Sequence, residues 1–351
     1  MTPRAPRDGA LEERAARLGA DLVLEGGGVR GIGLVGAVTA LADAGVVFPR
    51  IGGTSAGAVV GALTAAYQRA GEPLDRLRQD LDGLDLPTLL PRGPLQRATG
   101  LVGDALAVAI RSGVAGTEAL GEWLGERLAA VGVRTFGDLR IEDDPGTSLL
   151  PEQRYRLVVH ASDLTRRVLV RIPWDLPQYL LPEGRSSSEA QRLAAIDAYP
   201  VVDAVRASAS LPYVYRPFQQ PTPQGTCTWA DGGLLQYFPI TVFDRTDGMP
   251  ARWPTWGVRL SARHSPVMSD RPRRTVVGES VALLRTAIAQ WDRYALTEEG
   301  VDERTAWVDT AGIASTDFDL DASTRARLYA NGRTAAEAFL AHRPQAFPSD
   351  G

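Results

Sequence analysis

Asp21-Leu22-Val23-Leu24 is a short apolar run that leads straight into Glu25-Gly26-Gly27-Gly28-Val29-Arg30-Gly31. Such a run, bounded by glycine, predicts a buried parallel strand. From Ile32 to Ala44 the chain turns Ala/Val/Leu-rich at helical spacing, and Gly45 supplies the stop. Val46–Ile51 predicts a second strand, Gly52-Gly53-Thr54-Ser55-Ala56-Gly57 a tight turn, and Ala58–Ala70 a helix ended by Gly71. Strand, glycine loop, helix, strand, turn, helix is the alternation of an α/β fold with a mainly parallel sheet.

Beyond it the pattern is less regular. A helical insertion with Gly and Pro breaks is expected over 72–150. Further strands are predicted at Arg154–Ser162, Val168–Ile172, Thr226–Ala230, Thr255–Leu260 and Arg304–Asp309. Helices are predicted at Val201–Ser208, Ser280–Tyr294 and Ser323–Ala341, and a Pro- and Ser-rich interruption at Pro173–Ser188. Residues 1–20 read as a polar arm, helical at Leu11–Leu18, and 346–351 as a tail. Neither an internal repeat nor a domain-scale linker breaks 21–345, which is expected to be one domain.

Composition removes several chemistries. All 38 basic residues are Arg, so Walker-type phosphate binding, Ser–Lys dyads and lysine Schiff bases are unavailable. A net charge of -4 gives no electrostatic case for nucleic acid. With one cysteine, Cys227, no intrachain disulfide or cysteine cluster forms, and Cys227 is expected to be a small buried residue. His160, His264 and His342 lie far apart without ligand spacing, so neither a metal nor a cofactor is expected. The N-terminus lacks the apolar run of a secretory signal, and no stretch is long enough to span a bilayer. These features predict a soluble, cytoplasmic protein.

Three segments carry chemistry. Gly53-Thr54-Ser55-Ala56-Gly57 between a strand and a helix has the form of a nucleophile elbow, in which glycines clear the sharp turn around the serine. Ser55 also falls at a helix N-terminus, which favours negative charge. With no histidine near a motif, the base is sought among carboxylates. Asp231 ends an apolar strand and heads Asp231-Gly232-Gly233; burial would raise its pKa toward a useful value. The loop Gly26–Gly31 at a helix N-terminus offers backbone N–H donors to an oxyanion. Arg30 adds charge there or anchors the loop. The same loop matches Gly-x-Gly-x-x-Gly, but the acidic residue that a dinucleotide site wants about 20 residues later is missing.

Together, Gly-Gly-Gly-Val-Arg-Gly, Gly-Thr-Ser-Ala-Gly and Asp-Gly-Gly, in that order, resemble the patatin-like phospholipase family. Ala207-Ser208-Ala209-Ser210-Leu211-Pro212 and Leu234–Ile240 resemble two further blocks of it. The resemblance runs from about Asp21 to about Ile240, and implies a three-layer α/β/α fold and a Ser–Asp dyad without histidine. It assigns the serine to Ser55, the aspartate to Asp231 and the oxyanion loop to Gly26, Gly27, Gly28 and Arg30. Gly31, Gly53, Gly57, Gly232 and Gly233 complete the motifs. The implied activity is acyl-ester hydrolysis of phospholipids or related lipids through an acyl-enzyme. An acyltransferase and an effector latent until a protein activator arrives are the alternatives.

For peripheral membrane contact the sequence offers Leu84–Val114, Trp174–Leu181 with Trp174 and Tyr179, and the basic run Arg263, Arg271, Arg273 and Arg274. Packing of both apolar stretches on the core is the competing reading.

Overall fold

The computed structural model describes residues 18–84, 116–142, 147–184, 186–260 and 300–342, together with 279 and 286. Strand β1, Asp21–Leu24, is buried at every position. Leu22 and Leu24 face one core while Val23 faces another across the sheet, as the two-residue period of a strand requires. Around β1 stand β2 (Ile51–Thr54), β3 (Leu157–Asp163), β4 (Val168–Ile172), β5 (Phe218–Thr222), β6 (Gly225–Asp231), β7 (Thr255–Arg259) and β8 (Thr305–Trp307). The order is β5-β6-β3-β2-β1-β7-β8, with β4 also paired to β3. From β3 to β8 the neighbours run parallel. The pairs β3–β4, β3–β6 and β5–β6 are antiparallel. The fold is thus α/β with a mostly parallel central sheet.

Among the described residues the helices are α1 (Gly31–Asp43), α2 (Ala56–Ala70), α3 (Arg76–Asp82), α4 (Glu118–Ala130), α5 (Pro177–Leu180), α6 (Glu189–Asp197), α7 (Val201–Ser208) and α8 (Ala322–Ala341). Helices α1 and α2 bury almost their whole length against the sheet and each other, which explains how little polarity their sequences carry. Helix α8 lies along α1, where Gly36 and Gly332 let the two backbones approach. On the opposite face Val23 and Val158 are covered by Trp174, Phe238, Ile240 and Phe243.

Several boundaries differ from the sequence expectation. The second strand begins at Ile51, whereas Val46–Arg50 forms a bend with a single bridge, Gly19–Val47. Pro49 has no N–H to give a ladder, and the strand runs instead through Gly52 and Gly53. A Cβ at Gly53 would collide with the Gly57 carbonyl, so close backbone approach overrides strand propensity. Strand β5, which includes Pro221, was not expected; its edge position tolerates a residue that cannot donate. Helix α6 was also missed, although Ser188 and Gln191 form a capping box at its start.

The arm 1–17, most of the 84–114 stretch, most of Ser280–Tyr294, the basic run from Arg263 to Arg274, and the tail lie outside the described residues. No helix among the described residues is long and apolar enough to cross a membrane. The structure corrects the interfacial reading of Trp174 and Tyr179, since both are buried. Trp174 Nε1 donates to Gln153 O at 2.9 Å. The Tyr179 hydroxyl donates to Asp163 at 2.9 Å, and its ring packs edge-on against Trp229. Cys227 is buried.

Candidate active site

Ser55 stands between β2 and α2 with φ 54° and ψ −119°, a backbone conformation that side-chain-bearing residues rarely adopt. Two features hold it there. The Gly57 backbone lies so near Leu24 O and Glu25 O that any side chain at 57 would push the two strand ends apart. The Ser55 N–H donates at 2.9 Å to Ser208 Oγ, a fully buried hydroxyl at the end of α7. Ser208 belongs to the Ala-Ser-Ala-Ser-Leu-Pro block noted in the sequence, where its role was not evident. Two residues on, the Ser210 backbone carbonyl accepts the Asp231 N–H at 2.9 Å, so this one block ties both halves of the site. Ser208→Ala is expected to destabilise the fold by about 1–3 kcal/mol, the cost of a buried N–H left without an acceptor. Its turnover is expected to fall up to about 10²-fold through misplacement of the serine. Urea unfolding and steady-state kinetics check this, and Ser208→Thr should recover part of both.

Asp231 reaches Ser55 by an exchange of partners along one edge of β3. Thr54 pairs with His160 and Asp231 pairs with Ala161. Because β4 occupies the other edge across the same residues, β2 ends where β6 arrives. Consecutive residues of β3 thereby set the serine turn and the aspartate side by side. Gly232 and Gly233 follow because a Cβ at 232 would strike His160 O and one at 233 the Tyr237 ring. The Asp231 Oδ1 accepts the Gly233 N–H at 2.7 Å.

Its Oδ2 is buried and makes no hydrogen bond of full geometry among the described residues. The Ser55 hydroxyl is nonetheless near enough to the carboxyl to favour its ionised form. Burial is the larger effect and pushes the Asp231 pKa up to about 6; the Ser55 hydroxyl and the Gly233 N–H pull the other way. The carboxyl therefore gives and takes a proton near neutrality.

The glycine loop lies across from these groups, and its amides are unequally free. Gly26 N–H donates to Tyr237 O at 3.1 Å, Val29 N–H to Ser315 O at 3.1 Å, and Arg30 N–H to Gly27 O at 3.2 Å. Among the described residues the Gly27 and Gly28 amides donate to nothing. Gly28 has φ +54°, and a Cβ there would run into Ser315 O. Of the four residues that the resemblance assigns to an oxyanion loop, Gly27 and Gly28 thus keep amides without an acceptor among the described residues, whereas those of Gly26 and Arg30 are used. The Arg30 guanidinium contacts Gly27 O at 3.3 Å and the Tyr237 hydroxyl at 3.4 Å, which anchors the loop and brings a positive charge beside it. Glu25, one residue before the loop, is fixed by Arg259 at 2.9 Å and by the Leu260 N–H.

A cavity of about 130 Å³ opens beside Ser55 and Asp231. Val29, Ile32, Val59, Leu81, Leu84, Leu120, Leu211 and Phe318 give it an apolar wall. Ser315, Phe318 and Tyr237 are site residues that the sequence did not single out; only the last lies in a segment the resemblance had covered.

One histidine also enters the neighbourhood. His160 lies beneath the elbow, fully buried, and Nδ1 is 3.4 Å from Gly53 O. Burial lowers its pKa to about 4, so the ring is neutral at pH 7. Its hydrogen-bond contact is with the strand behind the serine, leaving the space at Ser55 to Asp231.

The pattern described as "Patatin-like phospholipase" matches residues 22–244, well over half of the chain, and takes in the glycine loop, the Ser55 turn and the Asp231-Gly232-Gly233 segment. The chain belongs to this family. Membership makes it one of the lipid ester hydrolases and agrees with the α/β sheet described above. Over 327 residues it is 30% identical to the uncharacterized protein YqhO of Bacillus subtilis, covering 91% of this chain and 97% of that one. It is 44% identical over 69 residues to the lysophospholipase NTE1 of Chaetomium globosum, which is 19% of this chain and 4% of that protein. The crystal structure of VipD from Legionella pneumophila aligns with a TM-score of 0.46 and 16% identity, covering 93% of this chain and 67% of that one.

Proposed function

We propose that this patatin-like chain hydrolyses a carboxylic ester of a phospholipid or related lipid through an acyl-enzyme on Ser55, with Asp231 as the base. The observation that carries the reading is the buried Asp231 carboxyl within reach of the Ser55 hydroxyl, its Oδ2 free of any other hydrogen bond among the described residues, both groups lining an apolar cavity. A carboxylate with an unused lone pair, its pKa raised toward neutrality, is suited to accept the serine proton.

In the first half-reaction Ser55 Oγ attacks the ester carbonyl while its proton passes to Asp231 Oδ2. The carbonyl oxygen becomes an oxyanion facing the Gly27 and Gly28 amides, with Arg30 close by. Two such donors are each worth roughly 10²–10³ in rate. When the tetrahedral species collapses, the alcohol leaves with the proton from Asp231 and the acyl group stays on Ser55. Water then repeats the sequence, giving up its proton to Asp231, and the fatty acid departs as the proton returns to Ser55. The apolar wall takes the acyl chain, whose burial contributes about 0.8 kcal/mol per CH₂.

The test is the release of free fatty acid, followed by mass spectrometry, from phosphatidylcholine and lysophosphatidylcholine bearing C8 and C16 chains. Fatty acid in molar balance with the lyso- or glycerophosphocholine product is expected. An unchanged lipid pool in every case would remove lipid hydrolysis from this chain acting alone.

A further inference from the structure

Two of the side chains that line the apolar cavity at Ser55 also line a second cavity. Ile32 on α1 and Leu81 on α3 line the cavity of about 130 Å³. The same two residues line a separate space of about 370 Å³ between α1, α3 and α8. Ile32 is buried, and both side chains belong to one apolar cluster. The far space has a different character: Arg78, Asp82 and Arg325 stand in its wall with Tyr329. Arg78 pairs with Asp82 at 3.4 Å and lies over the Tyr329 ring, and Arg325 donates to Leu84 O at 3.2 Å. Charged groups on that side favour water in the space, while Val35, Leu320 and Ala326 give it an apolar side.

We propose that Ile32 and Leu81 form the floor that limits the length of acyl chain the site accepts, and that the natural substrate carries a medium-length acyl group. The inference rests on Ser55 being the nucleophile. An apolar cavity of about 150 Å³ holds one benzene, six carbons; the space at Ser55 therefore takes a chain of about six carbons beyond the reacting carbonyl. A sixteen-carbon chain meets the Ile32–Leu81 floor with more than half of its length unburied. Truncating either residue joins the two spaces, and the tail then extends along Val35, Leu320 and Ala326.

The experiment is a series of 4-nitrophenyl esters from C4 to C16, presented in mixed micelles at one detergent ratio, with kcat/KM measured for each. For the wild type, values are expected to peak near C6 to C8 and to be at least tenfold lower at C16. In Ile32→Ala and Leu81→Ala the C16-to-C6 ratio is expected to rise at least tenfold, and in Leu81→Phe the optimum is expected to move to shorter chains. Ile32→Val and Leu81→Val, which remove less volume, carry the test if the alanine variants do not fold. A wild type that prefers C16 overturns the proposal, as does a ratio that stays within twofold across all variants. A wild type that cleaves no ester of any length, with Ser55 unmodified by an organophosphonate probe, defeats instead the hydrolase reading beneath it.

Discussion

Replacing Ser55 with alanine is expected to lower ester hydrolysis by at least about 10³-fold with little change in stability. Loss of the nucleophile from a unit that works together removes nearly all of its catalysis, and what remains comes from binding and the oxyanion donors. The backbone supplies an independent check. At φ 54° and ψ −119° any residue with a Cβ is strained, at a typical cost of about 1–3 kcal/mol. Alanine retains that strain and glycine relieves it, against a smaller entropic loss. Ser55→Gly should therefore be as inactive as Ser55→Ala yet about 1 kcal/mol more stable. Chemical denaturation of the three proteins, together with fatty-acid release, reads both effects. Equal stability of the two variants would mean that Ser208 and Gly57 hold an unstrained turn.

Asp231→Asn is expected to lose activity to a similar extent while gaining stability at neutral pH. Burial raises the Asp231 pKa to about 6, above the unfolded value of about 3.9. Between these values the folded chain holds the proton more tightly than the unfolded one. The group's stabilising contribution is thus complete below about pH 4 and is lost as the pH rises through about 6. A shift of this size corresponds to roughly 3 kcal/mol at most, so Asp231→Asn should exceed the wild type by roughly 1–3 kcal/mol at pH 8 and match it near pH 4. In the proposed mechanism the ionised carboxylate is also the base, so the wild-type kcat/KM should rise with pH to a plateau above about pH 7, with a midpoint near 6. His160, whose pKa burial lowers to about 4, acts in the opposite direction on stability as the pH falls below about 6.5. It is present in both proteins, and their difference isolates Asp231. A variant no more stable than wild type at pH 8 would mean that the carboxylate is better solvated than its burial implies.

Much of the architecture was legible because local rules were strong. The span of Val168–Ile172 matched in full, as did that of Val201–Ser208; both are short segments with a clear period and clear ends. The helix after Ser55 stops at Gly71, as the sequence anticipated, and Gly71 takes the left-handed conformation. The errors fell where a long-range contact outweighs propensity. Gly52 and Gly53 form a strand because they fit between Val23–Leu24 and Val158–Val159. Pro221 sits in a strand because only one of its edges is paired to a neighbour. Trp174 and Tyr179 looked interfacial because an aromatic in a proline-rich stretch carries no mark of what covers it.

The sequence by itself determined the order of elements, the family, and the residue types available for catalysis, because periodicity, glycine placement and the absence of lysine act within a few residues of chain. Only the tertiary structure decided how the candidates meet. It brought Asp231 to Ser55 through adjacent pairings on β3, between segments far apart in the chain. It spent the amides of Gly26 and Arg30 and, among the described residues, left those of Gly27 and Gly28 without an acceptor. It supplied Ser208 from α7 to hold the Ser55 turn, and set Ile32 and Leu81 in the walls of two cavities. Each of these depends on strand register and helix packing, which arise from the sum of many distant contacts and leave no local pattern to read.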